Sequence, residues 1–319
     1  MATIHQINAL TKIAKGTKTL PILGTVKLEP GKMTTTDLET TIVIIDEDIT
    51  KTGYVNPAKF KKSGLATIQK HWPLVEIKDF TADDYPTIEY DRAPIEVNQA
   101  TISGMIDALV TVSKDDSRPV LTCVELKANG AITSTDGYRL LTKNGGHDLT
   151  ALIPAKMIEL VKMTKLMDNW YIGTNDTQIV MQNGNFTIVQ RMIEGNYPDW
   201  TALAPLTAAR RVTVKSALVY EALDLIDGGN IRLDQNGGIY VQAGDGADAK
   251  RSLIAVSKPE LNVQNNINNM HIVMPLKGSA SDQVLLNDRY VRDAVGKSEY
   301  MRFSFNGALQ PVVVEGIER

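Results

Sequence analysis

The sequence predicts an α+β protein made of three repeated domains, each with two amphipathic helices over antiparallel strands. Three observations carry this. Short motifs recur in order at nearly constant spacing, helical faces recur at matching places, and β-rich segments end in turn residues. Leu20-Pro21-Ile22-Leu23 is echoed by Arg118-Pro119-Val120-Leu121, at an offset of 98. Thr36-Asp37 returns as Thr135-Asp136 (99), and Pro57-Ala58-Lys59 as Pro154-Ala155-Lys156 (97). Asp84-Tyr85-Pro86 returns as Asn196-Tyr197-Pro198, at 112. The wider last offset gives the second copy about 14 extra residues, the length of a β-hairpin.

In the first copy Ile4, Ile7, Leu10 and Ala14 fall on one helical face; in the second, Ile102, Ile106 and Leu109 do. A second helix opens at each Pro-Ala-Lys, because proline has no N–H to lose in a first turn. Strands are expected at Thr41–Ile45, at Thr177–Met181 before Asn183-Gly184, and at Phe186–Met192. A diverged third copy supplies helices at Val214–Ile226 and Asn287–Gly296. Its strands are expected at Ile239–Ala243, Ser252–Val256, Met301–Phe305 and Pro311–Val314. The domain boundaries are 1–91, 92–205 and 206–319, all of ordinary size.

The net charge of −3 conceals an uneven distribution. Six helical segments (4–18, 57–70, 99–114, 155–168, 214–227 and 288–298) hold 15 Lys/Arg against 8 Asp/Glu. Lys12 and Lys15 turn away from the Ile4 face, Lys59 and Lys62 away from Phe60, and Arg289 and Arg292 away from Val291 and Val295. Lys162 and Lys165 supply the same charge to the second copy's second helix. Rows of cations on helices attract a phosphate backbone without reading its sequence, and an acidic remainder discourages binding elsewhere. The 214–227 segment departs from the pattern, with Lys215 against Glu221, Asp224 and Asp227.

Catalytic and metal signatures are missing from the sequence. His5, His71, His147 and His271 stand at no metal-ligand spacing, and Cys123 is the single cysteine. Gly-rich phosphate loops and nucleophile elbows are absent. The acidic pairs Asp83-Asp84 and Asp115-Asp116 read as solvated turns. Thr135-Asp136-Gly137-Tyr138-Arg139 reads as a turn displaying Tyr and Arg, residue types that anchor interfaces. The expectation is a non-enzymatic protein without cofactor or metal. An N-terminus lacking a signal core and the lack of any long apolar run point to a cytoplasmic protein with no membrane partner.

The same motifs carry a family resemblance. Asp116-Ser117-Arg118-Pro119-Val120-Leu121, Thr135-Asp136-Gly137-Tyr138-Arg139-Leu140 and Glu194-Gly195-Asn196-Tyr197-Pro198-Asp199-Trp200 resemble the middle domain of the bacterial sliding clamps, the beta subunits of DNA polymerase III. Leu20–Leu23 and Thr36-Asp37-Leu38-Glu39 resemble first-domain motifs, and Asn287-Asp288-Arg289-Tyr290-Val291 the start of the last helix. The resemblance is strong from 95 to 200 and thin from 206 onward.

It implies a head-to-tail homodimer forming a six-domain ring around double-stranded DNA, with helices lining the hole and sheets outside. It also implies an ATP-driven clamp loader, and a pocket that takes short hydrophobic peptides from DNA polymerase and other clients. Matched by position, the pocket comprises Leu121, Thr135, Gly137, Tyr138, Arg139 and Leu140, with Pro205 and Val212 from the third domain. The hole-lining cations are Lys12, Lys15, Lys59, Lys62, Lys162, Lys165, Arg289 and Arg292. Two departures stand out: the first copy lacks a hairpin between Pro57 and Tyr85, and no strand follows Pro311–Val314 to wall the pocket. Both fit a shortened member of phage or mobile-element type. The rival readings are a clamp-like decoy or regulator that binds clients without encircling DNA, and an enzyme on a repeated α/β scaffold.

Overall fold

The computed structural model describes residues 2–57, 80, 84–199, 201, 210–224, 229–233, 238–243, 250–256, 271–274, 284–295, 298–306 and 311–317. The chain packs as two compact units. Unit 1 comprises 1–109, 123–130 and 145–194; unit 2 comprises 110–122, 131–144 and 195–319. Each unit draws on two consecutive sequence copies.

Unit 1 holds three described helices, α1 (Ile4–Ile13), α2 (Gln99–Ala108) and α3 (Ala155–Thr164). Thr3 opens α1 with a reciprocal box: its hydroxyl accepts from Gln6 N–H at 3.2 Å, and Gln6 Oε1 accepts from Thr3 N–H at 2.8 Å. The inward stripe is Ile7, Ala9, Leu10 and Ile13. Ile4, expected on that face, is exposed. Asn98 caps α2, accepting from Thr101 N–H at 2.8 Å. Its buried face is Ile102, Met105 and Ala108; Ile106 lies half-buried beside it and the helix stops well short of residue 114. Helix α3 starts directly after Pro154 and ends where Lys165 turns left-handed at φ 59°.

Helix α1 packs on an eight-stranded antiparallel sheet and meets α3, which in turn meets α2. The order of the sheet is Gly53–Val55, Val26–Glu29, Lys32–Thr36, Thr40–Ile45, Phe186–Arg191, Gln178–Asn183, Trp170–Thr174, Ile95–Val97. The middle pairing joins the first copy to the second, with Phe186 opposite Ile44 and Ile188 opposite Ile42. Trp170 and Phe186, both fully buried, meet edge to face with centroids 6.3 Å apart.

In unit 2, α4 (Ser216–Asp224) and α5 (Asp288–Val295) lie side by side. Val214, expected in a helix, belongs instead to the strand Arg210–Lys215, where it alternates with exposed Thr213 and Lys215. Alternating burial is a period-2 pattern, which a helix cannot satisfy. That strand opens an antiparallel run through Tyr300–Phe305, Val312–Ile317, His271–Met274, Leu140–Asn144 and Ala131–Thr135. A separate four-stranded sheet runs Lys250–Val256, Gly238–Ala243, Gly229–Leu233, Val284–Asn287.

The recurrent sequence motifs prove to be the parts of one repeated turn. Pro21–Gly24 and Pro119–Thr122 are both 3-10 turns. In the first copy Asp37 Oδ1 accepts from Glu39 and Thr40 N–H, and Leu38 takes φ 77°. In the second, Asp136 Oδ1 accepts from Tyr138 and Arg139 N–H, and Gly137 takes φ 87°. A tyrosine hydroxyl caps each turn: Tyr85 accepts from Thr36 N–H at 3.2 Å and Tyr197 from Thr135 N–H at 2.9 Å.

Tyr85 is buried beneath the first turn, stacked on Tyr54 at 5.8 Å, with its hydroxyl 3.3 Å from the Thr25 carbonyl. Burial pushes its phenol up to about 12. An unfolded tyrosine ionises near pH 10, so the stability held by neutral Tyr85 is complete below pH 10 and lost as pH rises toward 12. The loss amounts to roughly 2–3 kcal/mol. A Tyr85→Phe protein is expected to be about 1–2 kcal/mol less stable at pH 7, from the lost capping bonds. It should also show a flatter decline in urea midpoint between pH 10 and 12.

Candidate functional site

The turn Thr135–Arg139 is the centre of a constructed cluster in unit 2. Thr135 Oγ1 donates to the Arg139 carbonyl at 2.7 Å and accepts from Gly137 N–H at 3.0 Å. A Cβ on Gly137 would lie 3.0 Å from Arg118 Nη1, and one on Gly195 would lie 2.4 Å from Val120 Cγ2. The 3-10 turn at Pro119, the Thr135 turn and the Gly195–Tyr197 segment are thereby held together, which brings Leu121 into the same cluster as Thr135–Leu140.

Within the cluster the side chains differ sharply in access. Tyr138 is 63% exposed, whereas Leu121 and Leu140 are 8% and 7% exposed. Arg139, which the sequence reads as displayed by the turn, is instead drawn inward. Its Nε bonds Asp136 Oδ2 at 3.1 Å, Nη1 bonds the Asp293 carboxylate and Nη2 donates to the Val110 carbonyl at 2.7 Å. The guanidinium carbon lies 4.6 Å from the centroid of the Tyr290 ring. A planar five-donor fork suits this set of partners, which a lysine could not satisfy.

Val212 does not join Leu140. Successive registers place Val212 opposite Phe303, Phe303 opposite Val314, Val314 opposite Ile272 and Ile272 opposite Leu141. Residues directly opposite share a face and neighbours along a strand alternate, so Val212 stands on the Leu141 face and Leu140 on the other. Val212 is core at 2% exposure. Pro205 lies outside the described residues.

The helix cations divide into two groups. Lys12 pairs with Glu159 at 2.8 Å where α1 meets α3, and Arg292 pairs with Asp224 at 2.7 Å where α5 meets α4. Lys15, Lys162, Lys165 and Arg289 are exposed, with no ion pair among the described residues. Lys15 and Lys165 follow the ends of their helices rather than lying within them. Lys59 and Lys62 lie outside the described residues. The acidic partners Glu159 and Asp224 could not be assigned from sequence, because each pair spans two helices distant in the chain.

Among the described residues no group of three or more His, Cys, Asp or Glu could hold a metal ion, and no helix is long and apolar enough to cross a membrane.

Residues 96–199 match the family model for the central domain of the DNA polymerase III beta subunit. The beta sliding clamp of Synechocystis is 29% identical over 192 residues, covering 51% of this chain and 49% of that protein. The Bacillus subtilis clamp is 24% identical over 258 residues, covering 73% of this chain and 64% of its own. The Staphylococcus epidermidis clamp is 24% identical over 360 aligned positions, covering 98% and 93%. The Bacillus subtilis sliding clamp crystal structure shares the fold with TM-score 0.74 at 18% identity, over 99% of this chain and 93% of that one. The Pseudomonas aeruginosa sliding clamp, solved with a ligand, gives 0.71 at 19% identity, over 98% and 96%. The Thr135 turn and its tyrosine cap lie inside the matched region, and over nearly its whole length the chain is similar to the beta sliding clamps and shares their fold.

Proposed function

We propose that this protein is a DNA sliding clamp: it encircles duplex DNA without sequence specificity and tethers a DNA polymerase as a processivity factor. Family members act as processivity factors and not as enzymes. The observation that carries the reading is the rule by which copies join. The first copy's strand Thr40–Ile45 pairs with the second copy's Phe186–Arg191, and the second copy's Leu140–Asn144 pairs with the third copy's His271–Met274. The corresponding third-copy strand, Lys250–Val256, forms the edge of its sheet among the described residues. An open edge is a template for another chain, so the rule extends to a second copy of this protein in a head-to-tail homodimer. Three domains per chain, 1–91, 92–205 and 206–319, then give six around the duplex.

Exposed cations beside α1 and α3 and on α5 supply sequence-blind attraction to phosphates. The cluster around Leu121, Thr135 and Leu140 serves as the docking site for short hydrophobic peptides of the polymerase and other clients, including an ATP-driven loader. One observation favours a decoy instead: Arg292 is neutralised by Asp224, and α4 also carries the acidic Glu221. Light scattering together with retention on nicked circular against linearised DNA separates the two. A dimer held on circles and lost from linear ends supports the clamp. A strict monomer, or equal retention on both, sinks it.

A further inference from the structure

The turn shared by the first two copies differs chemically at two corresponding positions. In the second copy Arg118 leads into the Pro119 turn, its carbonyl accepting from Leu121 N–H at 3.0 Å. Gly137 stands beside it, since a Cβ there would come within 3.0 Å of Arg118 Nη1. In the first copy Leu20 leads into the Pro21 turn, its carbonyl accepting from Leu23 N–H at 3.3 Å. Leu38 takes the place of Gly137 and keeps its left-handed backbone, at φ 77° against 87°. Two leucines thus replace an arginine and a glycine. The Tyr85 hydroxyl, bonded to Thr36 N–H and to the Thr25 carbonyl, holds the two first-copy turns together.

Both leucines are exposed, Leu38 at 51% and Leu20 at 38%, whereas the neighbouring Ile22, Leu23 and Tyr54 form a buried cluster with Tyr85. A left-handed backbone is unfavourable for a bulky side chain and natural for glycine. Among the described residues Leu38, Lys165 and Asn169 are the non-glycine residues with positive φ, and Leu38 alone of these is apolar. Neither turn chemistry nor solubility favours leucine at position 38. A contact with another molecule does, because exposed apolar patches and strained turns gather at binding sites.

The adjacent charges give that contact a direction. Residues 16–21 are all exposed and carry one charge, that of Lys18, where the corresponding second-copy loop carries Asp115 and Asp116. Glu39, next to Leu38, is exposed as well. The Leu20 end of the pair therefore bears a cation and the Leu38 end a carboxylate.

We propose that Leu20 and Leu38 form a second docking surface, distinct from the Thr135 cluster, for a short protein segment with an acidic residue, two aliphatic residues and a basic residue in succession. The aliphatic side chains pack on the two leucines. The acid meets Lys18 and the base meets Glu39, which fixes the direction of the segment. The inference does not require that the Thr135 cluster bind a peptide.

The test uses the full chain and a fluorescein-labelled decapeptide centred on Glu-Leu-Ser-Leu-Lys, read by anisotropy. Leu38→Gly relieves the left-handed backbone, so it is expected to raise the urea midpoint while weakening peptide binding about tenfold or more. A purely structural role for Leu38 would instead lower the midpoint. Leu20→Ser should weaken binding to a similar degree. Lys18→Glu should weaken it roughly threefold, and a probe centred on Lys-Leu-Ser-Leu-Lys should restore it. The inference is overturned if the unmodified protein does not bind the first probe, or if a folded Leu38→Gly protein binds it normally. It is equally overturned if Leu38→Gly alters the oligomeric state in light scattering and leaves peptide binding unchanged, since the leucines then belong to a contact between copies of this chain.

Discussion

A protein with Lys15, Lys162 and Lys165 all changed to glutamate is expected to lose a substantial part of the salt sensitivity of its DNA retention. Each phosphate neutralised by a cation contributes about 0.9 to the slope of log affinity against log salt. Three lost contacts flatten that slope by roughly 2.7 per chain. Between about 50 and 200 mM salt, this removes a roughly fortyfold fall in affinity. Low-salt affinity drops by more than neutralisation alone would give, because each reversal adds repulsion. Stability should change little, since exposed charges contribute at most about 1 kcal/mol.

Lys12 is expected to behave differently from these three lysines. Its partner Glu159 already screens it, and a glutamate at position 12 would face that carboxylate across α1 and α3. Lys12→Glu should therefore destabilise the helix pair more than it weakens DNA retention. The measurement is filter retention on nicked circles across a salt series, with urea unfolding alongside. An unchanged slope in the folded triple variant would refute the assignment of these three lysines to the duplex.

Much of the local architecture was legible in the sequence because it is written in turn chemistry. Thr36-Asp37 and Thr135-Asp136 recur because a threonine hydroxyl and an aspartate oxygen must bond specific N–H groups two or three residues onward. Tyr85 and Tyr197 recur, at an offset of 112, because each closes one of those turns from a distance. Helix ends were less legible. Lys15 and Lys165 share the polar face of their helices by periodicity, but periodicity does not mark where hydrogen bonding stops.

Strand partnership was not legible. Phe186 and Ile44 are opposite each other across more than a hundred residues, and no local signal specifies which edge meets which. The pairing of Val273 with Leu140 spans more than a hundred residues too. The face on which Val212 stands likewise follows from register, and a single-residue change in register reverses every face.

Arg139→Met is expected to destabilise unit 2 by about 2–3 kcal/mol, and more than Arg139→Lys does. Arg139 is drawn into the protein by four partners: the carboxylates of Asp136 and Asp293, the Val110 carbonyl and the Tyr290 ring. Methionine fills the volume of the stem but leaves two carboxylates facing each other without a cation, and a carbonyl without a donor. Breaking a buried pair in this way costs about 3–5 kcal/mol. Asp293 retains 36% exposure, so water recovers part of that loss. Lysine keeps the charge but can reach only a subset of the partners, and it loses the flat stacking on Tyr290.

The consequence for function is indirect. Asp136 also holds the turn through the N–H groups of Tyr138 and Arg139, while Asp293 belongs to α5, the helix that carries Arg289 and Arg292. One arginine therefore ties the peptide-docking turn to a cation-bearing helix. In a double-mutant cycle, Arg139→Met with Asp293→Asn should show a coupling of about 1–2 kcal/mol in urea unfolding. The same Arg139→Met protein should bind a labelled hydrophobic client peptide more weakly even though Arg139 itself makes no rim contact, because the turn beneath Tyr138 loses its anchor. Zero coupling, with peptide affinity unchanged in a folded Arg139→Met protein, would return Arg139 to the role of an ordinary surface cation.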